Sequence, residues 1–179
     1  GSIIEVNFAT GDAITVNAVA SNYGGVEFRD LNITKAAAIT RTSGYYINIV
    51  SSYYTNIENC RILNGYDGVG MTGASTTGLR IKNCRFGNNT NTHVTIAGQT
   101  GTQGSVDVVL EDLWVHGTSL ATQSANGIYI NSVGDCVLRH VNTIWCGNGL
   151  NISPGTGQIV QALNVAECLF DTGSSYGIS

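Results

Sequence analysis

Charge is scarce in this sequence. Lys and Arg number 8 and Asp and Glu 12 in 179 residues, so 11% of positions are charged, against about a quarter in an ordinary globular domain. Neutralising phosphates needs a basic face, and a formal net charge of −4 excludes nucleic acid as a partner. Proline and methionine each occur once. No apolar run approaches the ~20 residues of a membrane span, so insertion into a bilayer is not expected. The cysteines number 5, with no Cys-x-x-Cys spacing and no Cys/His cluster. Neither a disulfide framework nor a metal site follows from such a set, and no cofactor is expected. Strong helix formers are thin throughout, which excludes a coiled coil or a helix bundle.

What is present points one way. Hydrophobic residues make up 42% of the chain, with 23 Gly, 19 Thr and 18 Asn. These are strand and turn formers with ample material for a core, and the composition is that of an all-β protein. One pattern recurs: FRDLNI from Phe28, IENCRI from Ile57, IKNCRF from Ile81, LEDLWV from Leu110, LRHVNT from Leu138, and AECLF after Val165. The starts differ by 29, 24, 29, 28 and 27 residues. Between the copies falls a second pattern, Gly-apolar-variable-apolar, at Gly44, Gly68, Gly127, Gly149 and, cut short, at Gly177; HVTI from His93 fills the remaining slot.

Side chains alternate along a strand with period 2. Ile57 and Cys60 are three apart, so both can face inward only if the chain turns between them. Asn59 sits at that turn, and Asp30, Asn83, Asp112, His140 and Glu167 hold the equivalent positions. Asn and Asp tolerate left-handed backbone and bond their own main chain. Three short strands per coil of some two dozen residues, repeated about six times, predict a right-handed parallel β-helix. A leucine-rich repeat is excluded by the missing Leu-x-x-Leu-x-Leu signature. Gly1-Ser2 reads as a tag scar and residues 3–179 as one β-helix domain. The chain stops inside a Gly-marked strand, so it is expected to be a fragment of a longer protein.

Stacked coils make each equivalent position a column. Leu31, Cys60, Cys84, Leu113, Val141 and Cys168 form one inward column; Val26, Thr55, Leu79, Val108, Cys136 and Leu163 form another. The cysteines are therefore expected as buried thiols that pack like small apolar side chains. Just before the turn, Arg29, Glu58, Lys82, Glu111 and Arg139 alternate in sign, which predicts a surface ladder of ion pairs. Val109, Trp114, Val137 and Leu169 are outward and apolar, a grouping suited to subunit contact.

The N-C-R-I and N-C-R-F turns and the Gly-marked strands resemble the pectate-lyase-like β-helix superfamily, over residues 26 to 179. That superfamily includes polysaccharide lyases, pectin-hydrolysing glycosidases and bacteriophage tailspikes and tail fibres. Unpaired cysteines and the Asn/Thr/Gly surface are most similar to a tailspike. The resemblance implies a virion-tail module that recognises bacterial surface polysaccharide and assembles as a homotrimer. The alternatives are a polysaccharide depolymerase, lyase or glycoside hydrolase, whose catalytic coils lie partly or wholly outside this stretch, a structural spacer shaft, and a secreted rather than virion location.

Catalytic signals are thin. The adjacent Asp-Asp pair of pectin-type glycosidases is missing, and hydrolysis of a glycoside needs two carboxylates roughly 5 to 9.5 Å apart. Asp67, Asp107, Asp135 and Asp171 remain as candidates. The three histidines form no triad with Ser or Cys by their slots in the repeat. Binding has better material. The outward column of the Gly-marked strand is expected to read Tyr46, Gly70, Thr95, Tyr129, Asn151. Aromatic faces stack on sugar C–H surfaces while Thr and Asn exchange hydrogen bonds. Tyr46, Thr95, Tyr129 and Asn151 are the expected carbohydrate contacts.

Overall fold

The computed structural model describes residues 1–17, 25–97 and 107–179. No helix occurs among them; parallel strands stack as a β-solenoid of about six turns. The strands are β1 (Ser2–Val6), β2 (Ile14–Asn17), β3 (Val26–Arg29), β4 (Leu31–Lys35), β5 (Tyr45–Ser52), β6 (Thr55–Glu58), β7 (Arg61–Leu63) and β8 (Asp67–Thr76). They continue as β9 (Leu79–Lys82), β10 (Arg85–Gly87), β11 (Thr92–Ala97), β12 (Val108–His116), β13 (Ser124–Ile152), β14 (Val160–Ala166) and β15 (Leu169–Ile178).

Three ladders run the length of the stack. Before the turn, β3, β6, β9, β12, β13 and β14 pair in order. After it come β1, β4, β7, β10, β12, β13 and β15. The Gly-marked ladder runs β2, β5, β8, β11, β13. Ser2 opens β1 and pairs with Leu31.

All six turn residues singled out by the repeat have left-handed backbone: Asp30, Asn59, Asn83, Asp112, His140 and Glu167, with φ between 50 and 56. Each rotates the strand so that the apolar residues on either side of it both face the core. Ile57, Ile81, Leu110 and Leu138 stack on one side, and Ile33, Ile62, Phe86 and Val115 on the other; all are fully buried. Both inward columns read from the sequence are in register. Cys60, Cys84, Cys136 and Cys146 are free and buried, and Cys168 is half-buried on the last coil. Burial pushes the thiols of Cys136 and Cys146 up to about 12.

The charge ladder forms ion pairs at three of its four steps among the described residues, Glu58 and Lys82 being in register but not paired. Arg29 meets Glu58 at 3.3 Å, Lys82 meets Glu111 at 3.4 Å, and Arg139 closes on the other Glu111 oxygen. Arg80 joins Glu111 at 3.2 Å, so three cations converge on one carboxylate. Of the outward apolar residues, Trp114, Val137 and Leu169 are exposed and Val109 is half-buried. They lie on two neighbouring ladders. Val109 and Val137 precede the turn column, and Trp114 and Leu169 follow it.

Candidate functional site

The register Thr95↔Gly70 and Thr95↔Tyr129 places both Thr95 and Tyr129 on the outward column of the Gly-marked ladder. Asn151 continues that column and reaches sideways, its Nδ2 donating to Asn126 Oδ1 at 3.0 Å. Tyr46 is not part of it. The register Ile47↔Val69 and Asn48↔Gly70 shifts the first coil by two residues, and Tyr46 falls inside the core, fully buried. The Arg41 guanidinium lies 5.5 Å from the ring centroid of Tyr46, and burial drives the phenol up to about 12.

Asn48 holds the column position beside Gly70, and Tyr45 supplies the aromatic ring on the outer face. Its ring lies over Gly70, where a Cβ would come within 2.6 Å of Cε1. Its main-chain N–H donates to Asp12 Oδ1 at 2.8 Å, and the other oxygen of Asp12 accepts from Asn48 Nδ2 at 2.7 Å. Partial burial raises the Tyr45 phenol above its ordinary range, while a hydrogen bond with Thr95 opposes that shift. The result is an open cleft of about 320 Å³ lined by Tyr45, Asn91, Thr92, Thr95, Asn126 and Tyr129.

Hydrogen bonds fix the walls of this cleft. Asn91 Nδ2 and Thr92 N–H both donate to Asp67 Oδ1, at 2.8 and 3.0 Å. Asn126 Oδ1 accepts from Asn148 as well as Asn151, and its Nδ2 donates to Thr92 Oγ1 at 3.3 Å. Asn131 Nδ2 donates to the Tyr129 hydroxyl at 3.1 Å, which in turn donates to the Ser153 carbonyl at 3.4 Å. Amides and hydroxyls with fixed directions, set between two rings, can take up a polar ligand with flat apolar faces. The sequence pattern gave no signal for Asn91 and Asn126, because they lie just outside the repeated motifs.

The four aspartates do not assemble into one site. Asp67 is buried at the edge of the cleft, where burial raises its carboxyl and its two donors hold it in place. Asp107 and Asp135 are exposed and immediately precede the register partners Val108 and Cys136, on the ladder before the turn. Asp171 is exposed on the last coil.

One histidine does meet a serine, against expectation. His93 Nε2 lies 2.9 Å from Ser124 Oγ, and His93 Nδ1 lies 2.9 Å from Asn89 Nδ2. The direction of the bonds decides what this group can do. Gly65 N–H donates to Asn89 Oδ1 at 2.8 Å, which turns the amide nitrogen of Asn89 toward His93. His93 Nδ1 therefore accepts, Nε2 carries the proton and donates to Ser124, and Ser124 donates on to the Asn89 carbonyl. A general base must present a lone pair to the serine. This imidazole presents a proton, and both side chains are buried. The group is a structural brace across coils. Compared with known proteins, the chain matches no family, no curated sequence and no solved structure.

Proposed function

We propose that this β-solenoid recognises bacterial cell-surface polysaccharide through the cleft between Tyr45 and Tyr129, as a module of the tailspike kind within the pectate-lyase-like superfamily. The observation that carries the reading is the pairing of two half-exposed tyrosine rings with Thr95, Asn91 and Asn126 in one open cleft. Sugar rings present alternating C–H faces and hydroxyl edges, and the cleft offers a counterpart to each. Assembly as a homotrimer at a virion tail belongs to the same proposal, and exposed Val137 and Leu169 give it apolar surface to use.

Titration with oligosaccharides released from bacterial surface polysaccharides, followed by calorimetry, tests the reading. For a glycan that binds, Tyr45→Ala and Tyr129→Ala should each weaken affinity by ~1 kcal/mol, about fivefold to tenfold, with an unchanged β circular-dichroism spectrum. Equal affinity of both variants and wild type would place recognition elsewhere.

A further inference from the structure

Both tryptophans of the chain meet at a place the tyrosine cleft does not touch. Trp114 on β12 and Trp145 in β13 come from adjacent coils and line, with Arg85, His116 and Ile144, an open cleft of about 250 Å³. The two residues are 46% and 44% exposed. The registers Gly87↔Leu63, Gly87↔His116 and His116↔Ile144 stack Trp145 in one column with Asn64, Asn88 and Gly117. Asn64 and Asn88 are left-handed there, with φ of 63 and 56, and so is Trp145, with φ of 57. Asn tolerates that geometry, whereas a bulky side chain in it is an outlier. The fold fills the same position with Asn or Gly on three other coils, so it does not require an indole. An exposed indole held in unfavourable backbone is a mark of function.

The charges around the cleft add a second observation. Arg85 stacks on Arg61 in the ladder after the turn. The ion pairs among the described residues use Arg29, Arg80, Lys82, Arg139 and His140, leaving Lys35, Arg41, Arg61 and Arg85 without a carboxylate; Arg41 instead donates to the Phe8 and Gly11 carbonyls. Arg85 is nevertheless aimed: its Nε and Nη2 lie 3.4 and 3.2 Å from His116 Nε2. His116 Nδ1–H donates to the Gly117 carbonyl at 3.2 Å, which turns Nε2 toward the guanidinium of Arg85. His116 thus orients the cation without cancelling it.

We propose that this cleft is a second binding site, for a saccharide ring that carries an anionic group. The ring lies on the indoles of Trp114 and Trp145, and the anion meets Arg85, with Arg61 on the neighbouring rung. A carboxylate and a sulfate ester offer the guanidinium the same chemistry. A neutral sugar would leave the cation unanswered.

The chain has two tryptophans, and both line this cleft, so tryptophan emission reads it while the tyrosine cleft stays silent. The full chain is titrated with a hyaluronan tetrasaccharide, a heparin tetrasaccharide and neutral maltotetraose. One or both anionic probes should shift the emission at concentrations at least tenfold below maltotetraose, and the two arms tell carboxylate from sulfate. Arg85→Gln should weaken that response at least tenfold, and Tyr129→Ala should leave it unchanged. Trp145→Asn, which restores the residue type of Asn64 and Asn88, should abolish the response seen through Trp114 and melt no lower than wild type. Emission unmoved by both anionic probes, an equal response to maltotetraose, or a lowered melting temperature for Trp145→Asn would each overturn the proposal.

Discussion

At the scale of single residues, His93 shows how burial turns a titratable group into a determinant of stability. Its pKa is driven down to about 3 by burial, with a smaller push from His116, against an ordinary value near 6.5. The unfolded chain takes up a proton below pH ~6.5, whereas the folded chain does so only near 3. Stability is therefore intact above 6.5 and falls with decreasing pH through that window, by about 1.4 kcal/mol per unit. Urea unfolding of wild type and His93→Gln between pH 7 and 4 should show the wild-type slope steeper by that amount. Parallel slopes would mean that His93 is protonated in the native state. Tyr46 makes a related point. Its hydroxyl is buried without a partner, so the ring is there for packing, beside a glycine, Gly65, whose Cβ would strike it.

At the scale of the strand and its turns, the sequence was most readable where one residue type had one reason to be present. Inward apolar residues three apart forced a turn at Asp30, Asn59, Asn83, Asp112, His140 and Glu167, and all six are left-handed. Asn59→Ala should cost ~1 kcal/mol in urea unfolding, because it puts a Cβ without compensation into that geometry and removes the acceptor for Asn83 Nδ2 at 2.8 Å. Asn59→Gly should cost less, and a larger loss for Gly would assign the effect to the side-chain ladder alone. Glycine was harder to read because it had two jobs. Gly44 is a turn residue with φ of 83, packed against the Gly11 backbone, whereas Gly68 lies in a strand where a Cβ would strike the His93 carbonyl. Aligning the two by letter displaces the first coil by two residues and sets Tyr46 where the register seats Asn48. The column of Asn64, Asn88 and Trp145 is not legible in the sequence, for a different reason. Trp145 is a side chain that no backbone rule would place there.

At the scale of the whole molecule, Glu111 is the most heavily used charge. Arg139 above all, with Arg80 and Lys82, holds its carboxyl down to about 2, so its contribution is present above pH ~4.5 and fades as pH falls toward 2. The alternation to which it belongs also works as a parity check on coil order. Correctly stacked neighbours are Arg29 on Glu58, Glu58 on Lys82, Lys82 on Glu111 and Glu111 on Arg139. A stack that skips one coil puts Arg29 on Lys82, Glu58 on Glu111 and Lys82 on Arg139, a like-charged pair every time. Hydrophobic columns cannot detect that error, since one inward Ile or Leu replaces another. Excising residues 60–83 commits it deliberately, joining Asn59 to Cys84 and seating Glu58 beside Glu111. In that shortened chain position 58 lies between Arg29 and Glu111, so Glu58→Lys exchanges one like-charged contact for another and should change stability by less than ~0.5 kcal/mol. In the full chain, where Arg29 and Lys82 flank the position, the same substitution should lower it. If the loss is equally large in both backgrounds, the alternating charges carry no memory of which coil follows which.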